Sequence, residues 1–247
     1  MIQKSAQGAN LRAIIFSAGL GTRLKPWTDQ HPKALAVVNG KPLLQRNIEY
    51  LQRSGINEVV VNVHHFAGQV IDTLEKNNGW GSKIFISDEK EEVLETGGGL
   101  LKAKPFLENS RFISINVDML TDADLGSMLA FHEQEKAMIT LAVTNRHTAR
   151  YLLFNKENQL CGWRNTDSFR ERIVKPAAHY IEKAFSGIAV FEPAIFDHIH
   201  FEGKFSVIEI YLDLALKYHV TGFDHSGGKL IDVGKPENVI AAEKLFV

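Results

Sequence analysis

An apolar run ends abruptly in a loop of small residues, and this junction constrains the fold more than any other part of the chain. Ile14–Phe16 is apolar throughout, which predicts a short buried strand. The loop that follows contains Gly19, Gly21 and Arg23, and Lys33 lies ten positions after the arginine. Glycines let backbone N–H groups approach an anion closely, and arginine offers a planar fork of donors for phosphate oxygens. The pattern therefore indicates a strand that leads into a phosphate-binding loop.

Single positions exclude two better-known phosphate loops. The dinucleotide-binding fingerprint needs a third glycine, and this chain has Leu24 there. A Walker A loop needs Gly-Lys-Ser/Thr, whereas Thr22 and Arg23 follow Gly21. A dehydrogenase-type dinucleotide domain is disfavoured by the missing glycine and by the lysine after Pro32. An ordinary strand-to-helix turn with a solvated arginine remains an alternative for this loop taken alone.

The composition is that of one globular domain. The chain has 247 residues, of which 45% are hydrophobic and 23% charged, so it can bury a sizeable core. A formal net charge of −1 gives no support to nucleic acid or a membrane surface as a partner. The single cysteine, Cys161, excludes an internal disulfide and a cysteine-rich zinc site. A reducing cytoplasm is the compartment that we expect.

The first ten residues, Met1–Asn10, are polar and carry one lysine. They lack the apolar centre of a signal peptide, so we expect a flexible N-terminal extension followed by a single domain over residues 11–247. No run of 18 apolar residues occurs in the sequence, which predicts that no segment spans a membrane.

Strand-like and helix-like runs alternate through the first half of the chain. The predicted strands are Ile14–Phe16, Glu58–Val63, Lys83–Ser87, Arg111–Val117 and Ile139–Val143. The predicted helices are the run from Leu43 to Leu51, Gln69–Lys76 and Ala123–Glu133. This βαβ alternation predicts an α/β fold, a single-domain, Rossmann-like, mixed but mainly parallel sheet flanked by helices. Ligands of such sheets bind at the carboxyl ends of the strands, where the opening loop lies.

The second half departs from this alternation. Tyr151–Phe154 and Gln159–Trp163 predict a hairpin. Arg164–Lys183 is polar and has no clear period, which leaves a mobile flap and a long surface connection as alternatives. The remaining predicted elements are the strands Phe185–Phe191, Val220–Phe223 and Leu230–Ile231 and the helices Ser206–Tyr218 and Pro236–Phe246.

Two aspartates and a glycine triplet follow predicted strands. Asp118 follows the predicted strand Arg111–Val117, where a carboxylate beside a phosphate loop is suited to hold Mg²⁺. Asp232 lies in an Asp-Val-Gly sequence. For each aspartate a turn residue is the alternative, and Asp118 could instead cap the next helix. The triplet in Leu94–Gly99 predicts a turn whose backbone lies against a flat ligand, with a flexible hairpin tip as the alternative.

The string Gly19-Leu20-Gly21-Thr22-Arg23, followed by Pro32-Lys33, resembles the signature of the sugar-1-phosphate nucleotidyltransferases. The resemblance implies the nucleotide-diphospho-sugar transferase fold, which is of the GT-A type. It also implies transfer of a nucleoside monophosphate from a nucleoside triphosphate to a sugar 1-phosphate, with release of pyrophosphate. In this family Arg23 and Lys33 would be catalytic.

The resemblance further implies that Asp118 and Asp232 bind Mg²⁺ as the cofactor. Two positions depart from the family pattern. Val117 stands where glycine is usual, and Lys235 stands where threonine is common.

Binding residues also follow from the resemblance. For the nucleotide they are Ser17, Ala18, Gly19, Gly21, Thr22, Gly97 and Gly98. For the sugar phosphate they are Glu95, Ser186, Gly187 and Lys175, with Lys183 competing with Lys175. Glu95 could instead cap the following helix, and Trp163 is either a core residue or a platform on which a sugar stacks.

The Leu-Glu-Thr-Gly-Gly-Gly string resembles one branch of the family, the uridylyltransferases that act on N-acetylmuramic acid 1-phosphate. UTP with that sugar phosphate is therefore the expected substrate pair, and GTP with mannose 1-phosphate is the alternative. A non-catalytic regulatory subunit that binds a sugar nucleotide is a further alternative. The sequence leaves the oligomeric state open, including a homo-oligomer.

Overall fold

The computed structural model describes residues 11–90 and 92–246, so the predicted N-terminal extension lies outside the described residues. The strands are β1 Arg12–Phe16, β2 Val37–Val38, β3 Lys41–Pro42, β4 Glu58–Val63, β5 Lys83–Asp88, β6 Phe112–Asn116, β7 Met119–Thr121, β8 Ile139–Thr144, β9 Arg150–Phe154, β10 Leu160–Asn165, β11 Arg170–Ile173, β12 Ile181–Phe191, β13 Val220–Asp224 and β14 Leu230–Asp232. The helices are α1 Leu43–Arg53, α2 Ala67–Lys76, α3 Glu95–Lys102, α4 Lys104–Leu107, α5 Leu125–Glu135, α6 Val207–Ala215 and α7 Pro236–Leu245. No helix within the described ranges is long and apolar enough to cross a membrane.

Most of the strands join one mixed sheet. Its order is β11-β10-β9-β12-β6-β1-β4-β5, with β8 paired to β12 and β13 paired to β8. β1 lies between β4 and β6, and the four strands β5, β4, β1 and β6 are parallel. β12 runs antiparallel to β6, β8 and β9, and the β9–β10–β11 meander extends the sheet from there. The mixed α/β sheet flanked by helices that the alternation predicts is confirmed.

Helices cover both faces of this sheet. Ala13 and Ile15 of β1 pack with α1, α2 and α5 on one face, whereas Ile14 and Phe16 pack with α3 and α6 on the other. Full burial of a large apolar side chain contributes about 1.5–3 kcal/mol relative to exposure. β1 is therefore held from both sides, and the loop that follows it begins at a fixed point.

The turn predicted around the glycine triplet is wrong, because Glu95–Lys102 forms helix α3. A Cβ atom on Gly97 would lie 2.4 Å from the ring of Phe205, and one on Gly98 would lie 2.2 Å from the carbonyl oxygen of Gly203. Each glycine costs about 1 kcal/mol of helix propensity relative to alanine. Here that cost is offset by close packing, because a larger residue would not fit against the segment that leads into α6.

The polar stretch Arg164–Lys183 contributes to the sheet. The predicted hairpin is present as β9 and β10, and β11 then pairs antiparallel with β10. Phe169 lies at the tip between β10 and β11 with 93% of its surface exposed. The stretch is therefore a second hairpin followed by a short connection to β12.

Candidate active site

The predicted phosphate loop and the first aspartate lie side by side at one edge of the sheet. β1 and β6 are parallel neighbours in which Phe16 pairs with Asn116. The ladder continues past the strand ends, since Val117 donates its backbone N–H to the carbonyl oxygen of Phe16 at 3.1 Å. Asp118 thus follows at the carboxyl edge, where the loop after β1 also begins. This edge is the usual ligand position of an open α/β sheet.

A second, two-stranded sheet brings the other aspartate to the first. β14 pairs antiparallel with β7, and Asp232 stands opposite Met119. Val233 then donates its backbone N–H to the carbonyl oxygen of Asp118 at 2.8 Å. The two carboxylates predicted to act together are therefore held together by backbone hydrogen bonds, although they come from distant parts of the chain.

The two predicted catalytic cations each contact one of these carboxylates. Nζ of Lys33 lies 2.6 Å from Oδ2 of Asp118, and only 15% and 12% of their side chains are exposed. Nη2 of Arg23 lies 3.3 Å from Oδ2 of Asp232 and 3.8 Å from Oδ2 of Asp118. The Arg23 side chain is 52% exposed, so its ion pair lies at the rim while that of Lys33 lies deeper.

The donor set of this site fits a Mg²⁺ ion. Oδ1 of Asp232 is buried and has no hydrogen-bond partner among the described residues, so a carboxylate oxygen is available to a cation. Within residues 11–90 and 92–246 no group of three or more His, Cys, Asp or Glu side chains could hold a metal by itself. Magnesium is commonly bound by one or two carboxylates together with substrate phosphates. Asp118 and Asp232 would supply such a pair, and metal binding by them stays a prediction.

Two glycines make room for the charged side chains. A Cβ atom on Gly234 would lie 2.4 Å from Nη2 of Arg23 and 2.6 Å from Oδ1 of Asp232. Gly21 has a φ of 64°, in the left-handed region that glycine adopts most easily, and its carbonyl oxygen accepts a hydrogen bond from Oγ1 of Thr28 at 2.9 Å. The loop conformation and the position of Arg23 therefore both require glycine.

A buried polar network supports the start of the loop, and sequence reasoning missed it. Ser17 donates its hydroxyl to the carbonyl oxygen of Asn62, whose side-chain oxygen accepts from the N–H of Ala18 at 3.3 Å. Nδ2 of Asn62 donates to Oε1 of Glu89 at 2.5 Å, and Oε2 of Glu89 accepts from the N–H of Leu94 at 2.7 Å. The available signal was a polar residue near the carboxyl end of β4 and another just after β5.

Glu89 is therefore a support of the site. It is 1% exposed, and both carboxylate oxygens are hydrogen-bonded within the chain. Its contacts join the opening loop to the start of α3.

An open cleft of two adjoining compartments runs along the sheet edge. The first, of about 290 Å³, lies beside the opening loop. Its lining includes Ala18, Gly19, Lys33, Glu95, Thr96 and Asp118. The second, of about 520 Å³, shares Thr96 and Asn116 with the first. Its lining includes Arg23, Arg146, Arg150, Trp163 and Asp232. The predicted nucleotide residues Ala18 and Gly19, together with Glu95, therefore border the same space as Lys33 and Asp118.

The other predicted nucleotide residues lie beside or beneath this lining. Thr22 begins a short 3-10 turn that also contains Arg23. Gly97 and Gly98 are buried in α3. A Cβ atom on either glycine would project into neighbouring protein atoms and not into the cleft. Their role in nucleotide binding stays a prediction.

Two of the predicted sugar-binding residues, Ser186 and Gly187, lie in β12. Ser186 is fully buried, with its Oγ 2.7 Å from Nε2 of His225, and burial lowers the pKa of that histidine. Gly187 has a φ of 75°, in a β-bulge where a Cβ would lie 2.7 Å from Cγ of Met119. This bulge lies close to β7, which connects the two aspartates. Sugar binding by Ser186 and Gly187 stays a prediction.

The two competing lysines are outside both compartments. Lys175 donates its backbone N–H to the carbonyl oxygen of Cys161 at 3.1 Å, and its side chain is not part of either lining. Nζ of Lys183 contacts Oδ2 of Asp224 at 2.5 Å and Oδ1 of Asn145 at 2.6 Å. The structure brings neither lysine to Arg23 and the two aspartates, whereas Arg146 and Arg150 line the second compartment.

The fold and these paired charges define an α/β protein with a ligand cleft at the carboxyl edge of its parallel strands. Residues 12–245 match the model of a family described as nucleotidyl transferase. The chain belongs to this family, and its relatives place it among the sugar-1-phosphate nucleotidyltransferases.

Relatives of known name cover nearly the whole chain. An N-acetylmuramate alpha-1-phosphate uridylyltransferase from Caulobacter vibrioides is 30% identical over 237 residues, which are 94% of this chain and 95% of that protein. A mannose-1-phosphate guanylyltransferase catalytic subunit beta from Xenopus tropicalis is 27% identical over 241 residues, 96% of this chain and 65% of that protein. The crystal structure of HddC from Yersinia pseudotuberculosis complexed with GMP-PN is 25% identical, covering 96% of this chain and 99% of that one with a TM-score of 0.76.

Proposed function

We propose that this chain transfers UMP from UTP to N-acetylmuramic acid 1-phosphate in a Mg²⁺-dependent reaction that releases pyrophosphate. The observation that carries the proposal is the meeting of Asp118 and Asp232 with Lys33 and Arg23 beside a two-compartment cleft. The identity to the Caulobacter vibrioides relative supports this substrate pair.

The proposed reaction is a direct substitution at phosphorus. An oxygen of the sugar phosphate forms a bond to the α-phosphorus of the nucleoside triphosphate. The bond from that phosphorus to the bridging oxygen breaks, and its electron pair leaves with pyrophosphate. The attacking oxygen is already an anion at neutral pH, so no strong general base is needed. Positioning and charge stabilisation therefore provide most of the catalysis.

Each charged residue has a distinct role in this reaction. Lys33, deep in the cleft, neutralises charge at the α-phosphate. Arg23, at the rim, binds the β- and γ-phosphates and stabilises the leaving pyrophosphate. Asp118 and Asp232 would hold Mg²⁺, which when bound supplies positive charge for the phosphates.

A second substrate pair, GTP with mannose 1-phosphate, is favoured by a different observation. The Xenopus tropicalis relative is a mannose-1-phosphate guanylyltransferase subunit, and the HddC structure contains GMP-PN. A non-catalytic sensor is disfavoured, because all four charged residues are present and grouped.

Pyrophosphate release across a matrix of substrates tests the proposal. UTP, GTP, CTP and dTTP are each combined with the 1-phosphates of N-acetylmuramic acid, N-acetylglucosamine, mannose and glucose, with Mg²⁺ or with EDTA. We expect the fastest release from UTP with N-acetylmuramic acid 1-phosphate, and none in EDTA. Fastest release from GTP with mannose 1-phosphate would select the second pair. No release with any pair, from folded protein that binds a nucleotide, would favour the sensor.

A further inference from the structure

The second compartment of the cleft carries an excess of positive charge. Among the described residues its lining contains three arginines, Arg23, Arg146 and Arg150, and one carboxylate, Asp232. Arg23 and Asp232 already pair with each other at the entrance to the reaction centre. The other two arginines come from β9 and the segment before it, and the proposed reaction gives neither of them a role.

Arg150 differs from the other two arginines in its contacts. Nη2 of Arg146 donates to the carbonyl oxygen of Phe185 at 3.0 Å, which fixes that guanidinium to β12. The backbone N–H of Arg150 donates to Oγ1 of Thr148 at 3.2 Å. Its guanidinium is exposed and makes no hydrogen bond or ion pair to any residue in 11–90 or 92–246. Five N–H donors in a fixed planar array are thus directed to a space that can hold a ligand.

An apolar and aromatic surface lies next to this guanidinium. Leu152 is two positions along β9 from Arg150, so both side chains project from the same face of the strand. Leu152 pairs across to Trp163 of β10, and all three residues line the second compartment. A sugar ring packed on Trp163 would place its substituents within reach of Arg150.

We propose that Arg150 is a specificity-determining residue that binds a carboxylate carried by the sugar ring, separate from the 1-phosphate. The inference rests on the proposed function and deepens it, because it names the substrate class as acidic sugar 1-phosphates. A guanidinium matches the planar geometry of a carboxylate through two parallel hydrogen bonds, which an ammonium group cannot reproduce.

Two sugar phosphates that differ by one group test this assignment. N-acetylmuramic acid 1-phosphate carries a lactic acid ether, and N-acetylglucosamine 1-phosphate lacks it. The parental chain, Arg150→Ala and Arg150→Lys are compared by the ratio of kcat/KM for the acidic sugar to that for the neutral one. Arg53→Ala, which removes an exposed arginine from α1, is the matched control.

We expect Arg150→Ala to lower this ratio about 10- to 100-fold, the usual range for losing a hydrogen bond to a charged group. The loss should appear in KM for the acidic sugar more than in kcat, and Arg150→Lys should restore part of it. An equal loss for both sugars would overturn the proposal, because it would assign Arg150 to the shared phosphate. An unchanged ratio would overturn it as well.

Calorimetry of the binding of the same two sugar phosphates tests the role of Arg150 without requiring any turnover. If no substrate pair releases pyrophosphate, the proposed function fails, but the ratio of the two dissociation constants still decides the role of Arg150. A preference for the acidic sugar that Arg150→Ala removes supports the assignment. Equal affinity of the parental chain for both sugars contradicts it.

Discussion

Nη2 of Arg23 lies 3.3 Å from Oδ2 of Asp232, although 209 positions separate the two residues in the sequence. More than half of the arginine side chain is exposed, and exposed ion pairs contribute only about 0–1 kcal/mol. The guanidinium can therefore exchange this carboxylate for phosphate oxygens at small cost. The ion pair with Asp232 keeps Arg23 beside the proposed phosphate site, and it is weak enough for phosphate oxygens to replace it.

Arg23→Ala is expected to lower kcat on the order of 10²–10³-fold, because the side chain acts mainly on charge that develops in the transition state. Nucleotide affinity should change much less. Steady-state pyrophosphate release gives the first quantity and calorimetry the second, with Arg53→Ala as an arginine control outside the cleft. Turnover of Arg23→Ala at the parental rate would show that the assignment is wrong.

Gly234→Ala tests the space that Arg23 and Asp232 need. The added Cβ would lie 2.4 Å from Nη2 of Arg23, so the flexible guanidinium must move. A displacement of about 1 Å in a catalytic group can cost roughly 10²-fold in rate, and we expect a loss of that order with little change in thermal stability. Gly68→Ala, where a Cβ meets nothing within 4 Å, is the control. A Gly234→Ala variant with parental kcat would contradict this account of the site.

His132 should make the fold less stable in mild acid. The residue is 1% exposed, its ring Nδ1 lies 2.8 Å from Oγ1 of Thr140, and its Nε2 lies 3.1 Å from Oε1 of Glu192. Burial lowers the pKa of His132, against a smaller opposing effect of Glu192. The unfolded chain therefore takes up a proton as the pH falls through about 6.5, whereas the folded chain does so only at a lower pH. The free energy of unfolding should then fall by up to about 1.4 kcal/mol per pH unit for this one group.

Urea unfolding between pH 8 and pH 5.5 measures this slope. His132→Gln should flatten it, even though the variant is less stable overall. His225, whose pKa is also lowered by burial, contributes in the same direction and remains in the variant. Identical slopes for the parental chain and His132→Gln would contradict the prediction.

The parts of the fold that could be predicted are those in which a run of apolar residues marks a buried strand. The runs that became β1 and β4 to β6 are apolar and bounded by turn residues, so their type and order followed from the sequence. Helix α3 could not be predicted, because three consecutive glycines disfavour a helix. The glycines are present because a neighbouring segment leaves no room for larger side chains. That neighbour, the segment containing Gly203 and Phe205, is far away in the chain.

Some residues of the candidate site could likewise be predicted from the sequence, and others could not. Arg23, Lys33 and the two aspartates stood in short local motifs, and the structure brings them together. The Asn62–Glu89 hydrogen bond joins β4 to the residue after β5, and a polar residue near each strand end was too weak a signal to pair them. Arg150 likewise borders the cleft only because β9 lies beside β12.

The most direct test of the account is Mg²⁺-dependent pyrophosphate release by Asp118→Asn and Asp232→Asn, measured beside the parental chain with UTP and N-acetylmuramic acid 1-phosphate. Each substitution keeps the size of the side chain and removes a charged oxygen donor. If the two carboxylates hold the metal, each variant should lose at least about 10²-fold in kcat while its thermal unfolding remains cooperative. Parental turnover by either variant at the same Mg²⁺ concentration would contradict the account.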